Sequence, residues 1–258
     1  MTTQRSTLVL APNPSPFTLE GTNTWVLREP GSAAVVVVDP GPLHEGHLAA
    51  ILTAVEKQEA RVAQILLTHG HADHSESAAR FAELTGAPVR ALDPRHRLGD
   101  EGLADGDVVE VDGLELRVVG TPGHTGDSLS FLLPADRAVL TGDTVLGRGT
   151  TLVAYPDGTL AEYLDSLNLL RDAAVRQEFD TVLPGHGPVL SDALGVLDFY
   201  IAHRKERLAQ VEAALKAGDA SAAEVVRRVY ADVDPAVWPA AELSVRAQLH
   251  YLDPVRFN

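Results

Sequence analysis

Between residues 20 and 190 the hydrophobic positions come in short runs bounded by Gly, Pro and Asp, the pattern of buried strands. Residues 24–27 and 33–38 read as two strands turning at Gly31, and residues 8–10 as a short apolar start before a Pro-rich loop at 12–16. Residues 62–67 and 88–92 are further runs. Residues 108–111 and 114–119 flank Asp112-Gly113, a pair that accepts positive φ, and predict a hairpin. Residues 129–133 and 138–140 pair around Pro134-Ala135-Asp136, and 181–183 is a last short strand. Helical spacing occurs in 44–58 (Leu48, Ile51, Leu52, Val55), in 75–84 and in 160–175. Strands and hairpins with interspersed helices predict an α+β fold of sheets covered by helices, not an alternating βαβ array.

Beyond Leu190 the pattern becomes helical only. Residues 196–216 predict one long helix, and Ser221-Ala222-Ala223-Glu224 is a capping box opening a second. Pro239 fits the first turn of a third, running to Leu252. The chain thus divides into a mixed domain, 1–192, and a helical domain, 193–258.

The candidate chemistry sits where strands stop. His69, His71, Asp73 and His74 follow the run at 62–67. The same arrangement of strand end, Gly or Pro, and ligand-type side chain recurs at His124, Asp143 and His186. Glycines let the backbone turn sharply there, so the side chains can converge on one edge. Taken singly, Gly-His-Thr or Thr-Gly-Asp is an ordinary turn. His-x-His-x-Asp-His is not, because helix capping accounts for at most Asp73. Imidazoles and carboxylates suit zinc, iron or manganese. Five histidines and two aspartates exceed the needs of one tetrahedral ion, whereas two ions about 3.5–4 Å apart use them all.

Composition narrows the setting. The 258 residues are 45% hydrophobic and 22% charged, enough for a sizeable core, and hold no cysteine, so thiolate ligands and disulfides are excluded. The longest apolar run, 33–38, is too short to span a bilayer, and the first residues lack a signal-peptide pattern. A soluble cytoplasmic protein is expected. A net charge of −15 disfavours a broad nucleic-acid surface.

With these motifs in order, the chain resembles the metallo-β-lactamase superfamily over roughly residues 20–190. The resemblance implies a four-layer αββα sandwich. It also implies one metal on His69, His71 and His124, another on Asp73, His74 and His186, and Asp143 bridging them. Asp39 matches a family aspartate that supports the ligands from behind. Gly21-Thr22-Asn23-Thr24, Gly147-Arg148-Gly149-Thr150-Thr151, the residues around His186, and Tyr200-Ile201-Ala202-His203-Arg204 are similar to the β-lactamase-like protein 2 branch. That branch includes a single-strand endoribonuclease and thioester hydrolases, with a winged-helix-like tail. Two features depart from it. Ser75-Glu76-Ser77 replaces a Gly-rich continuation, and the stretch to Asn258 leaves no room for a wing hairpin, so the tail is expected to be a truncated version.

The expected function is therefore a hydrolase with two zinc ions (iron or manganese as alternatives), using a bridging hydroxide on a small ester or thioester. By the resemblance Asp73 orients the nucleophile, and His203 is a candidate proton donor, with an exposed helix residue the plainer reading. Arg148 and Arg204 are candidate substrate contacts, with a solvated helix face the plainer reading for Arg204. Single-strand RNA cleavage and a mononuclear iron dioxygenase are the alternatives. His44, His47, His96 and His250 have no motif around them and read as surface or packing residues.

Overall fold

The computed structural model describes residues 3–232 and 234–257. One sheet orders β1 (Ser6–Leu10), β2 (Asn23–Leu27), β3 (Ala34–Val38), β4 (Arg61–Leu66) and β5 (Val89–Arg90) side by side. Strands β1 to β3 are antiparallel, while β3, β4 and β5 run parallel. The parallel crossovers carry α1 (Glu45–Glu56), a single turn α2 (Ala72–Ser75) and α3 (Ala78–Thr85). The second sheet orders β10 (Thr181–Pro184), β9 (Ala138–Gly142), β8 (Leu129–Leu133), β7 (Leu114–Gly120) and β6 (Val108–Val111). The helices α4 (Leu160–Val175), α5 (Ala193–Lys216), α6 (Ala222–Val229) and α7 (Trp238–Leu252) complete the chain.

Strand β3 shows why these runs form strands. Its four valines are β-branched, and all five residues are buried. Val36 and Val38 face the second sheet, where Leu116, Val118, Phe131 and Leu140 meet them. Val35 and Val37 face outward, onto Leu48 and Ile51 of α1 and Phe81 of α3. The outer face of the second sheet, with Val139 and Val182, is covered by Tyr163 and Leu167 of α4 and by Leu197 and Tyr200 of α5. These are the four layers of an αββα sandwich, and the α+β expectation holds.

Several boundaries differ from the sequence reading. The helix expected at 75–84 is two pieces. Its first turn starts at Ala72, within the ligand motif, and the chain bends before Ala78. The strand expected at 88–92 shrinks to two residues. The long helix starts at Ala193, because the Asp192 side chain accepts from the Gly195 N–H at 3.0 Å and caps it.

The tail has its own small core, in which Val211 and Ala214 of α5 meet Val225 of α6 and Val245 and Leu249 of α7. Thus α5 belongs to two cores, the outer sandwich layer along its first half and the tail along its second. Among the described residues no strand follows β10, so the tail carries no hairpin wing. No helix among them is long and apolar enough to cross a membrane.

The connectivity places the ligands. Strand β7 is antiparallel to β8, which is antiparallel to β9, so β7, β9 and β10 point the same way. Their C-terminal ends share one edge with those of β3 and β4, and all five strands are followed by a polar residue of the candidate site. Replacing Phe131, fully buried between the sheets, with alanine should cost about 3–5 kcal/mol, seen as a lower denaturant midpoint at unchanged slope.

Candidate metal centre

At this edge seven side chains converge as two groups. His69, His71 and His124 form one, and Asp73, His74, Asp143 and His186 the other, with the ligand atoms of each group within 4.8 Å of one another. His71 Nδ1 lies 3.1 Å from His124 Nε2. His186 Nε2 lies 3.1 Å from Asp73 Oδ2 and 3.3 Å from both Asp143 Oδ2 and His74 Nε2. Asp143 faces both groups, Oδ1 at 3.4 Å from His74 Nε2 and Oδ2 at 3.7 Å from His124 Nε2.

Each imidazole is held from behind by its other nitrogen. His74 Nδ1 donates to Asp39 Oδ2 at 2.9 Å. His69 Nδ1 meets the Thr68 hydroxyl at 3.0 Å, and that hydroxyl donates to Asp39 Oδ2 at 2.6 Å. His124 Nδ1 donates to the Leu152 carbonyl at 2.7 Å, His186 Nδ1 to the Gly21 carbonyl at 3.1 Å, and His71 Nε2 to Asp157 at 2.9 Å. This leaves His69 Nε2, His71 Nδ1, His74 Nε2, His124 Nε2 and His186 Nε2 turned inward, the arrangement that fixes tautomer and ring orientation in metal sites. Asp157 and the two carbonyls carry no sequence signal. A carbonyl belongs to every residue, and Asp157 is separated from the motifs by a loop.

The donor set fits metal ions. His69 Nε2 and Asp143 Oδ1 are buried with no hydrogen-bond partner, a costly state that an ion would relieve. Donors about 2.0–2.2 Å from a tetrahedral ion sit about 3.3–3.6 Å apart, and the inward separations of 3.1–3.7 Å bracket that spacing.

Without ions, protons carry the positive charge. Burial opposes protonation of His74, but the Asp143 and Asp39 carboxylates outweigh it and hold its pKa well above the ordinary value. His186 is pushed up to about 9, as hydrogen bonds to Asp143 and Asp73 outweigh burial. Asp143 is held well below the usual carboxylate range, because His74 and His186 outweigh its desolvation. His69 moves the other way, driven down by burial and by the neighbouring His74 and His124.

The centre opens on a cavity of about 500 Å³. His71, Asp73, His124, Asp143 and His186 form its floor, while His203, Arg204 and Arg207 of α5 border it from the tail side. The solvated reading of Arg204 is corrected. It is 6% exposed, lies over the Tyr163 ring at 5.0 Å and donates to the Thr151 carbonyl, because this turn of α5 faces the sandwich. His203 is half-buried beside Phe199, not an exposed helix residue. Arg148 borders the cavity but pairs with Glu20 at 2.7 Å. Of the histidines without a motif, His47 is buried against the Thr24 hydroxyl at 2.8 Å, and His250 stacks on Tyr155.

Residues 17–186 match the family model of the metallo-β-lactamase superfamily. The chain belongs to this superfamily. Residues 221–253 match the β-lactamase associated winged helix domain, so the tail is of that type despite its helix-only form. A β-lactamase-like protein 2 homologue of Caenorhabditis elegans is 34% identical over 95% of the chain and 83% of its own length. An atrochrysone carboxyl ACP thioesterase of Aspergillus fumigatus is 35% identical over 81% of the chain and 64% of its own length. The fold matches a crystal structure of a metallo-β-lactamase family protein from Thermus thermophilus at a TM-score of 0.79 and 24% identity, covering 96% and 93% of the two chains. The chain is a metal-dependent hydrolase of this superfamily.

A β-carbon at Gly185 would lie 2.6 Å from Asp143 Oδ1 and 2.8 Å from His74 Cε1, so G185A should fold yet lose metal affinity about 10- to 100-fold in a chelator competition. In the metal-free protein, the raised pKa values of His74 and His186 stabilise the fold fully below about pH 6.5 and progressively less as pH rises toward about 9. The Tm of metal-free protein should therefore fall across that window, and metal loading at pH 7 should release protons in calorimetry run in buffers of different ionisation enthalpy.

Proposed function

We propose that the protein is a dinuclear metal-dependent thioesterase acting on a small-molecule acyl thioester. The observation that carries this is the cavity. Its volume of about 500 Å³ is that of a small-molecule site, and it places the metal-ligand floor beneath apolar walls. Phe17 and Leu19 stand on one side and Tyr230, Val237 and Ala241 of the tail on the other. The thioesterase name of the Aspergillus fumigatus relative points the same way.

In this reading His69, His71 and His124 hold one ion, and Asp73, His74 and His186 the other, with Asp143 shared and zinc the expected metal. When bound, the ions supply a water nucleophile active near neutral pH and positive charge opposite the developing oxyanion. Asp73, bordering the cavity and hydrogen-bonded to His186, orients the nucleophile. Asp39 and Asp157 keep the imidazoles aimed. His203 borders the cavity on α5. Burial and the flanking Arg204 and Arg207 hold its pKa below the ordinary value, so at pH 7 little of it carries the extra proton a leaving group would need. A thiol, with a pKa of about 8.5, leaves as thiolate without that help, and an alkoxide does not. This favours thioesters over plain esters and over RNA.

Single-strand RNA cleavage is the second reading, supported by the winged-helix match of the tail. The net charge of −15 and the inward-facing apolar residues of α6 and α7 count against it.

Anaerobic metal quantification with a panel of thioester, ester, lactam and RNA substrates separates these readings. The expected result is two zinc ions per chain and thioester turnover that H71A and D143A abolish. One iron per chain with oxygen uptake, or salt-sensitive RNA cleavage without thioester turnover, would overturn the proposal.

A further inference from the structure

The cavity is bordered by three arginines, and they differ in one respect. Arg148 is neutralised by Glu20 at 2.7 Å. Arg204 and Arg207 have no carboxylate within 4.0 Å among the described residues, although the chain carries 36 acidic residues against 21 basic ones. Arg204 is more than nine-tenths buried and its Nε lacks any acceptor. Among the described residues it is held by the Thr151 carbonyl and by Tyr163. Arg207, one helical turn further on, lies over the Tyr230 ring at 4.8 Å and bonds Gln210 at 2.9 Å. His203, on the same face, has a buried Nδ1 with no partner. Spacings of three and four residues bring these groups side by side along α5.

A buried guanidinium without a counter-charge is unfavourable, and such sites persist where a ligand completes them. Arginine presents a planar fork that matches a carboxylate or phosphate. Tyr230 pins the Arg207 guanidinium in place, so little side-chain freedom is lost on binding.

We propose that the α5 wall of the cavity is an oxyanion subsite, formed by His203, Arg204 and Arg207, and that the substrate carries a carboxylate or phosphate at one end. This rests on the thioesterase reading for the reaction, but not for the binding. The anionic group sits on the acyl chain as a carboxylate or on the thiol arm as a phosphate. The metal centre meets the carbonyl between the two arms, and the same three residues would hold either group.

Four thioesters test it on the metal-loaded full chain: butyryl and succinyl chains, each on pantetheine and on 4′-phosphopantetheine. Whichever arm bears the recognised anion should raise kcat/KM about 10- to 100-fold over its neutral counterpart, mostly through KM. R207Q should collapse that ratio toward one, and R207K should restore part of it. The succinyl and phosphopantetheine comparisons tell the two sources apart. Calorimetric binding of succinate and of 4′-phosphopantetheine, to wild type and R207Q, reads the subsite without any turnover. Absence of thioester hydrolysis with R207Q-sensitive binding of either anion would sink the reaction and keep the subsite. Equal kcat/KM for charged and neutral thioesters, or anion binding unaffected by R207Q, would overturn the subsite. So would R207Q-sensitive binding of single-stranded RNA while neither small anion binds.

Discussion

One carboxylate holds a histidine of each ligand group. Asp39 receives His74 directly and His69 through the Thr68 hydroxyl, and its other oxygen takes the Thr68 N–H at 2.8 Å. It can do so because it closes β3 with a φ of 51°, which turns the side chain toward the end of β4. The Thr24 hydroxyl donates to its carbonyl at 2.6 Å, so β2 is tied to the same point. Three strands of one sheet and both ligand groups are therefore fixed relative to a single buried charge. For His69 and His74 the geometry is inherited from strand pairing, while His71, His124 and His186 are aimed by groups of the surrounding loops.

The two ligand groups differ electrostatically. The all-histidine group contains no acid of its own, and burial keeps His69 neutral. The second group contains both aspartates and, in the absence of a metal, keeps protons on His74 and His186. An ion entering the second group would displace those protons. The protein thus holds a nearly balanced second group before it is loaded, which lets Asp73 and Asp143 lie so close together in the fold.

Much of this is legible in the chain. Fully buried strands with valine on both faces reveal themselves as unbroken apolar runs, and glycine marks each strand end that bears a ligand. The second half of the site is less legible. Arg204 and His203 lie on a helix whose charged neighbours, Lys205 and Glu206, suggest a solvated face. Only the packing of α5 against α4 shows which side points inward. Asp157 and the carbonyls of Gly21 and Leu152 act through position alone, and position depends on the folded loops. The start of the helix within the ligand motif is hidden because His71 ends an extended segment and the next residue already begins a turn.

The glycines at the strand ends also bear on how such a protein can diversify. A side chain at Gly185 would meet Asp143 and His74, and one at Gly142 would meet Thr68 at 2.6 Å, so neither position tolerates drift. The tail wall is under no such restriction. Tyr230, Val237 and Ala241 touch the cavity from tail segments that pack on one another and on α5. Mutations there reshape the pocket without disturbing the ligands. Reaction chemistry and substrate range are thus separable inheritances, one locked into the sandwich edge and the other free to change in the appended helices.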